Sequence, residues 1–220
     1  MGLRSRLGIV VLSTTLLGGG IVAFSAPAQA AVAVAQVTII NGLPNTPVDV
    51  YINGKIEIRG IPYTEAGAYP AAWKPGRYTL AFRRHGASAT SAPILTKIIS
   101  LAGGENASVV TNLTAGGSQT VSFFVNPTKD APPVIIRDLA DAPALDIYFG
   151  INIVATALTN SVSVTLNQSS NPVSGSLTGT NVTVLQPQDQ NFLYGTTIIY
   201  IVGSLSSTAS TLTQTVQNIF

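Results

Sequence analysis

Cysteine is absent from this chain of 220 residues. No disulfide, zinc–thiolate centre, cysteine nucleophile or lipid-modified lipoprotein cysteine is therefore open to it. Histidine is nearly absent too. The one imidazole, His85, follows Arg83-Arg84 at a strand end and reads as a solvated turn residue. That leaves no triad built on a histidine base and no histidine-rich metal site. Charge is scarce, at 9% of residues against roughly 25% in an average soluble domain. Nine basic and nine acidic residues remain once Arg4 and Arg6 are set aside. Nucleic acid is thus not an expected partner, because holding phosphates takes a concentrated basic face. No helical 3.6-residue period of useful length occurs either, so strands are the default.

What the chain does have begins with a leader. Arg4 and Arg6 precede an apolar run from Leu7 to Phe24, and Ala28-Gln29-Ala30 forms a small-x-small cleavage site. Residues 1–30 therefore read as a secretory signal peptide. The run approaches the ~20 residues of a membrane span, but Gly18-Gly19-Gly20 and Pro27 favour cleavage over a retained anchor. With the leader removed, no transmembrane segment is expected.

Short β-branched runs separated by Gly, Pro and Asn follow. Val48, Val50 and Ile52 alternate with Asp49, Tyr51 and Asn53, so one face is buried and one polar. Asn53-Gly54 supplies the positive-φ pair of a type I′ hairpin, and Ile56 and Ile58 continue on the far side. Further strands are expected over Gln36 to Asn41, Arg77 to Arg83, Ile94 to Leu101, Asn106 to Leu113 and Gln119 to Asn126. Strands at 8 to 12 residue spacing are the signature of a sandwich.

The proline-rich stretch from Asn126 to Pro133 reads as a boundary, after which the pattern starts again. PVIIRDLADAP at Pro133 aligns with VTIINGLPNTP at Val37, and after a one-residue gap LDIYFG at Leu145 aligns with VDVYIN at Val48. TTIIYIVG at Thr196 matches NASVVTNL at Asn106 in apolar pattern. A recurrence of this length argues for duplication. Ser161 to Leu166 and Asn181 to Leu185 read as strands, but this second copy is degenerate in its middle, where Asn167 to Thr180 is rich in Ser, Asn and Gly and has no counterpart to Trp73 or Arg83-Arg84. The expected fold is all-β: two tandem antiparallel β-sandwiches, immunoglobulin/transthyretin-like, over residues 31–130 and 131–220 behind the signal. Residues 31–130 carry a net +3 and residues 131–220 a net −3, a difference that favours docking of the two.

The hairpin and its Pro/Asp loop, GLPNTPVDVYING followed by KPGRYTLAF and again DLADAPALDIY, resemble the bacterial domain of unknown function 4397. The resemblance implies exported or surface-attached β-sandwich modules, often in tandem, and no established activity. Asn45-Thr46-Pro47 departs from the family pattern by one residue and an Asp, and Phe149-Gly150 replaces its Asp-Gly turn.

Candidate chemistry is thin. Asp49 and Asp146 occupy equivalent outward positions and read as loop caps, not a glycosidase pair. Asp138, Asp141 and Asp146 lack the Asp-x-Asp-x-Asp-Gly spacing of a calcium loop, and no metal or cofactor is expected. Leu43-Pro44-Asn45-Thr46 lacks the glycine, apolar segment and basic tail of a sorting signal. Tyr63, Tyr69 and Trp73, beside Lys74 and Arg77, are the one local concentration of large aromatics. They are either the cover of a sandwich end or a platform for sugar rings. The reading is a non-catalytic exported protein of the cell envelope or medium that binds or spaces. Extracellular polysaccharide or another surface protein is the expected partner. The alternatives are a glycan-binding module and a hydrolase with an unrecognised acid pair.

Overall fold

Alternating and β-branched runs do become strands. In a computed structural model, residues 33–67, 72–127, 134–167, 172–189, 196–205 and, for the backbone, 211–219 are described. The leader and Tyr69 lie outside them. The first half holds β1 (Ala35–Asn41), β2 (Val48–Ile52), β3 (Lys55–Ile61), β4 (Ala66–Gly67), β5 (Ala72–Trp73), β6 (Gly76–Arg84), β7 (Leu95–Leu101), β8 (Asn106–Leu113) and β9 (Gln119–Asn126). The second holds β10 (Val134–Asp138), β11 (Leu145–Phe149), β12 (Asn152–Leu158), β13 (Ser163–Leu166), β14 (Val173–Leu177), β15 (Thr183–Gln188), β16 (Thr196–Ser204) and β17 (Thr211–Ile219).

One sheet of the first half runs β4-β1-β8-β9, with β5 also on β1, and the other runs β3-β2-β6-β7. The second half repeats both orders, as β13-β10-β16-β17 and β12-β11-β14-β15. The expectation of purely antiparallel sheets needs correcting, since β1 pairs parallel with β8 and β10 with β16. The cause is topological: the chain crosses to the opposite sheet and back before adding the later strand, and only such a long crossover makes parallel neighbours. The immunoglobulin order is not the one found. There the first two strands share a sheet, whereas β1 and β2 lie in different sheets.

Each pair of sheets encloses its own core. Val48, Val50, Leu80 and Phe82 meet Val37, Ile39, Ala107 and Val109 in the first half. In the second, Leu145, Ile147 and Phe149 meet Ile136, Ile199 and Ile201. The hairpin turn forms as expected, with Asn53 at φ 50° and Gly54 at φ 84°. Its counterpart places Gly150, at φ 60°, first in the loop between Phe149 and Asn152, the placement a type II′ turn requires.

The one-residue gap between the repeated stretches disappears. Ile39 pairs with Val109 and Ile136 with Ile199. The Asn41 and Asp138 carboxamide and carboxylate each accept from the backbone two residues on, at Leu43 and Ala140. A constant offset of 97 thus carries β1 and β2 onto β10 and β11, with Val48 on Leu145 and Asp49 on Asp146. Matching proline to proline shifts the upstream loop by one.

A third apolar cluster joins the halves. Ile40 and Val110 from one side meet Ile135, Leu139, Ile198, Tyr200 and Val202 from the other. Strands β8 and β16 are therefore buried on both faces, which is why IIYIV at Ile198 reads as an unbroken apolar run. Approach is close: a Cβ on Gly42 would stand 2.7 Å from Val202 Cγ1. The contact is apolar where the cluster lies, and Arg137 beside it bonds Asn126 and Tyr200 and no carboxylate among the described residues. Residues 32–220 form one compact unit.

Candidate functional site

The outer faces of the two β2-type sheets carry the polar residues that the repeat places together. Asp49 faces outward by strand alternation, yet it is only 1% exposed. Its Oδ1 accepts from the Gly60 amide at 2.7 Å and from His85 Nδ1 at 2.8 Å, and its Oδ2 from the Gly86 amide at 3.3 Å. Burial by itself pushes the Asp49 carboxyl up, but these donors outweigh it and hold it below the ordinary carboxylate value. His85, expected as a solvated turn residue, does stand exposed in the turn after β6, and its Nδ1 also bonds Asp49.

Asp146 repeats the arrangement. Its Oδ1 accepts from the Ala157 amide at 3.0 Å and from the Thr178 hydroxyl at 2.8 Å, and its Oδ2 from the Gly179 amide at 3.3 Å. The Ala157 bond first, then Thr178, holds its carboxyl low. Ala157 sits at φ 51° where the first half has Gly60 at φ 62°, a conformation that costs a residue with a Cβ about 1 kcal/mol. Each aspartate therefore locks a bulge in one neighbouring strand to the turn after another. Asp49→Asn, which removes the charge these donors face, is expected to lower stability by about 2 kcal/mol in chemical denaturation at pH 7. The Asp49 contribution is fully present above the ordinary carboxylate pKa and is lost as pH falls through the lower folded-state value. The wild type and the Asn variant should therefore converge in strong acid; a constant gap would refute the assignment.

Next to each aspartate stands a tyrosine, and here the halves differ. Tyr51 is 6% exposed because the Arg83 guanidinium lies 4.8 Å over its ring. Registers align Arg83, opposite Asp49, with Ser176, opposite Asp146. Tyr148 is consequently uncovered, and it lines a groove of about 240 Å³ with Gly150, Ser174, Ser176, Asn181 and Thr183. The Ser176 hydroxyl lies 3.2 Å from the Tyr148 hydroxyl. A second, more apolar groove, of about 530 Å³, runs between Ala115 of the first half and Asp141, Pro143 and Leu177 of the second. Its carboxylate is engaged, Asp141 Oδ2 accepting from Ser204 at 2.9 Å.

The aromatics picked out in the sequence do not assemble. Trp73 is 5% exposed and packs in the core of the first half, its ring 4.8 Å from that of Tyr78. Tyr63 packs against the cluster between the halves, and Tyr69 lies outside the described residues. Leu43 and Thr46 are buried. Asp138, Asp141 and Asp146 each serve separate local bonds. Among the described residues no group of three or more carboxylate and imidazole side chains is gathered for a metal ion, and no helix is long and apolar enough to cross a membrane.

The molecule is thus an all-β protein. Within that class the sequence profile described as Domain of unknown function (DUF4397) matches residues 35–148, from β1 into β11. That is more than half of the chain, and the chain belongs to this family. No curated protein matches it.

Proposed function

We propose that this is a non-catalytic exported protein, built by duplication of one transthyretin-like β-sandwich, that acts in the cell envelope or medium by binding or as a spacer. The observation that carries the reading is the use of Asp49 and Asp146. The acidic residue that recurs in both halves is spent on a bulge and a turn each time, and reactive chemistry needs such a group directed at a substrate. The reading divides residues 31–130 from 131–220, with the shared apolar cluster holding the two at a fixed spacing. Export rests on the basic start, apolar run and Ala28-Gln29-Ala30. Fractionation of the producing cell with N-terminal sequencing tests it. The expected product begins at Ala31 and is recovered from the envelope or medium; a cytosolic chain retaining residues 1–30 overturns it.

A further inference from the structure

We infer that the groove over Tyr148 is a binding subsite for a neutral saccharide. The inference rests on the reading that the protein acts by binding, and it moves the sugar-binding role from the buried Trp73 to a different face.

The two halves differ at one register. In the first half Arg83 covers the Tyr51 ring and donates to the Ser91 carbonyl, so the space over the aromatic is filled by the chain itself. In the second half Ser176 stands at the Arg83 position, Ser174 at that of Ala81, and the space is open. What replaces the guanidinium is a set of neutral hydrogen-bonding groups. Ser174 and Thr183 present hydroxyls, Asn181 presents a carboxamide from the turn before β15, and the buried Ser176 donates its hydroxyl to that of Tyr148 at 3.2 Å. Ile153, across from Tyr148 on β12, is 53% exposed and leaves an apolar side chain in solvent on the other side of β11 from the groove.

Among the described residues no charged side chain lines the groove, and the neighbouring Asp146 has both oxygens committed to Ala157, Thr178 and Gly179. An anionic or cationic ligand would find no counter-charge there. A planar aromatic face flanked by hydroxyl and amide groups suits a molecule with one apolar face and a hydroxylated edge. A pyranose has both. The volume, about 240 Å³, lies below the ~300 Å³ at which drug-sized pockets begin, so the groove takes about one ring, and a polymer would run past it along the open face.

The test uses the mature secreted chain against soluble neutral polysaccharides (a β-glucan, a mannan, a xylan), with an anionic polysaccharide as control, read by calorimetry or by methyl and amide shifts. At least one neutral polymer is expected to bind. Tyr148→Ala should weaken that binding about tenfold or more by removing the stacking face. Ser176→Arg should abolish it while leaving the unfolding midpoint unchanged, because the first half already accommodates arginine against tyrosine at this register. Conversely, Arg83→Ser should add a second site and raise the stoichiometry. No neutral polymer bound, binding to the anionic control alone, or binding indifferent to both Tyr148→Ala and Ser176→Arg overturns the inference. A mature chain found outside the cytosol that binds no neutral glycan leaves the exported reading standing and removes only this site.

Discussion

Tyr200→Ala is expected to lower the stability of the mature chain by about 4 kcal/mol. Tyr200 has no exposed surface and is the largest fully buried side chain. It stands where the halves meet: its hydroxyl donates to Ser108 at 2.6 Å and accepts from Arg137 Nη1 at 3.2 Å, and its ring lies 6.4 Å from that of Phe124. Burial pushes its own phenol up and lowers Arg137 from its ordinary value, with the tyrosine partly restoring the arginine. Arg137 is otherwise held by Asn126 Oδ1 at 2.9 Å and by the Phe124 ring at 4.1 Å. Truncating the tyrosine opens a cavity in the apolar cluster and removes one of the two acceptors of a buried cation, which together place the loss at the upper end of core substitutions. At a denaturant slope of about 2 kcal/mol per molar urea, the midpoint falls by about 2 M. Tyr200→Phe keeps the ring and leaves Ser108 and Arg137 short of one bond each, so about 2 kcal/mol is expected from it. A midpoint for the Ala variant within 0.5 M (about 1 kcal/mol) of wild type refutes the assignment of Tyr200 as the joint of the two halves.

That joint was half visible beforehand. The strands Asn106 to Leu113 and Gln119 to Asn126 form with the expected bounds, because alternation and flanking turn residues are local signals. The run IIYIV identified β16 as a strand but gave no sign that its second face meets β8, since burial against a distant strand leaves no local periodicity. β14 lies in the Ser-, Asn- and Gly-rich stretch that carries no strand signal, because Ser-Gly-Ser resembles a turn. In Val173-Ser174-Gly175-Ser176-Leu177 the apolar and glycine positions face the core, where a Cβ on Gly175 would already touch Leu185 and Ile147 at 3.2 and 3.3 Å. The Tyr148 groove was missed with it. Its walls come from β11, β14 and the turn before β15, and its existence shows only when Ser176 is set against Arg83. The partners of Asp49 lie 11, 36 and 37 residues away, beyond any local reading, whereas the equivalence of Asp49 and Asp146 was legible from the repeat itself.

The repeated strand order fixes which positions correspond in the two halves. Positions that hold the fold kept their roles: Asn41 and Asp138, Asp49 and Asp146, Gly60 and Ala157 each make the same backbone bond. Outward positions drifted, and in opposite senses. The first half closed its aromatic face with arginine, and the second left its face open while turning acidic.

One of those kept positions changed chemistry in a way that makes stability depend on pH. Asn41 is fully satisfied, donating from Nδ2 to the Thr46 and Ile61 carbonyls and accepting at Oδ1 from Leu43 and Thr111. Asp138, its counterpart, is fully buried, accepts one bond from Ala140, and has no partner for Oδ2. Burial raises its pKa from 3.8 to about 7 against the smaller opposing effect of the Ala140 bond. The folded chain therefore holds a proton that the unfolded chain releases between pH 3.8 and about 7. Over that window the unfolded state binds fewer protons, so stability falls as pH rises: the contribution is fully present below 3.8 and gone above about 7. At about 1.4 kcal/mol per pH unit the loss totals about 4 kcal/mol, of which about 3 falls between pH 5 and pH 8. Asp138→Asn replaces the titrating oxygen with the amide that already works at position 41. The expected result is a midpoint that no longer falls between pH 5 and pH 8, and a variant about 3 kcal/mol more stable than wild type at pH 8. Urea unfolding at the two pH values decides it. An Asn variant that keeps the wild-type pH slope, or is less stable than wild type at pH 8, shows that Asp138 is ionised in the fold and that its second oxygen has a partner.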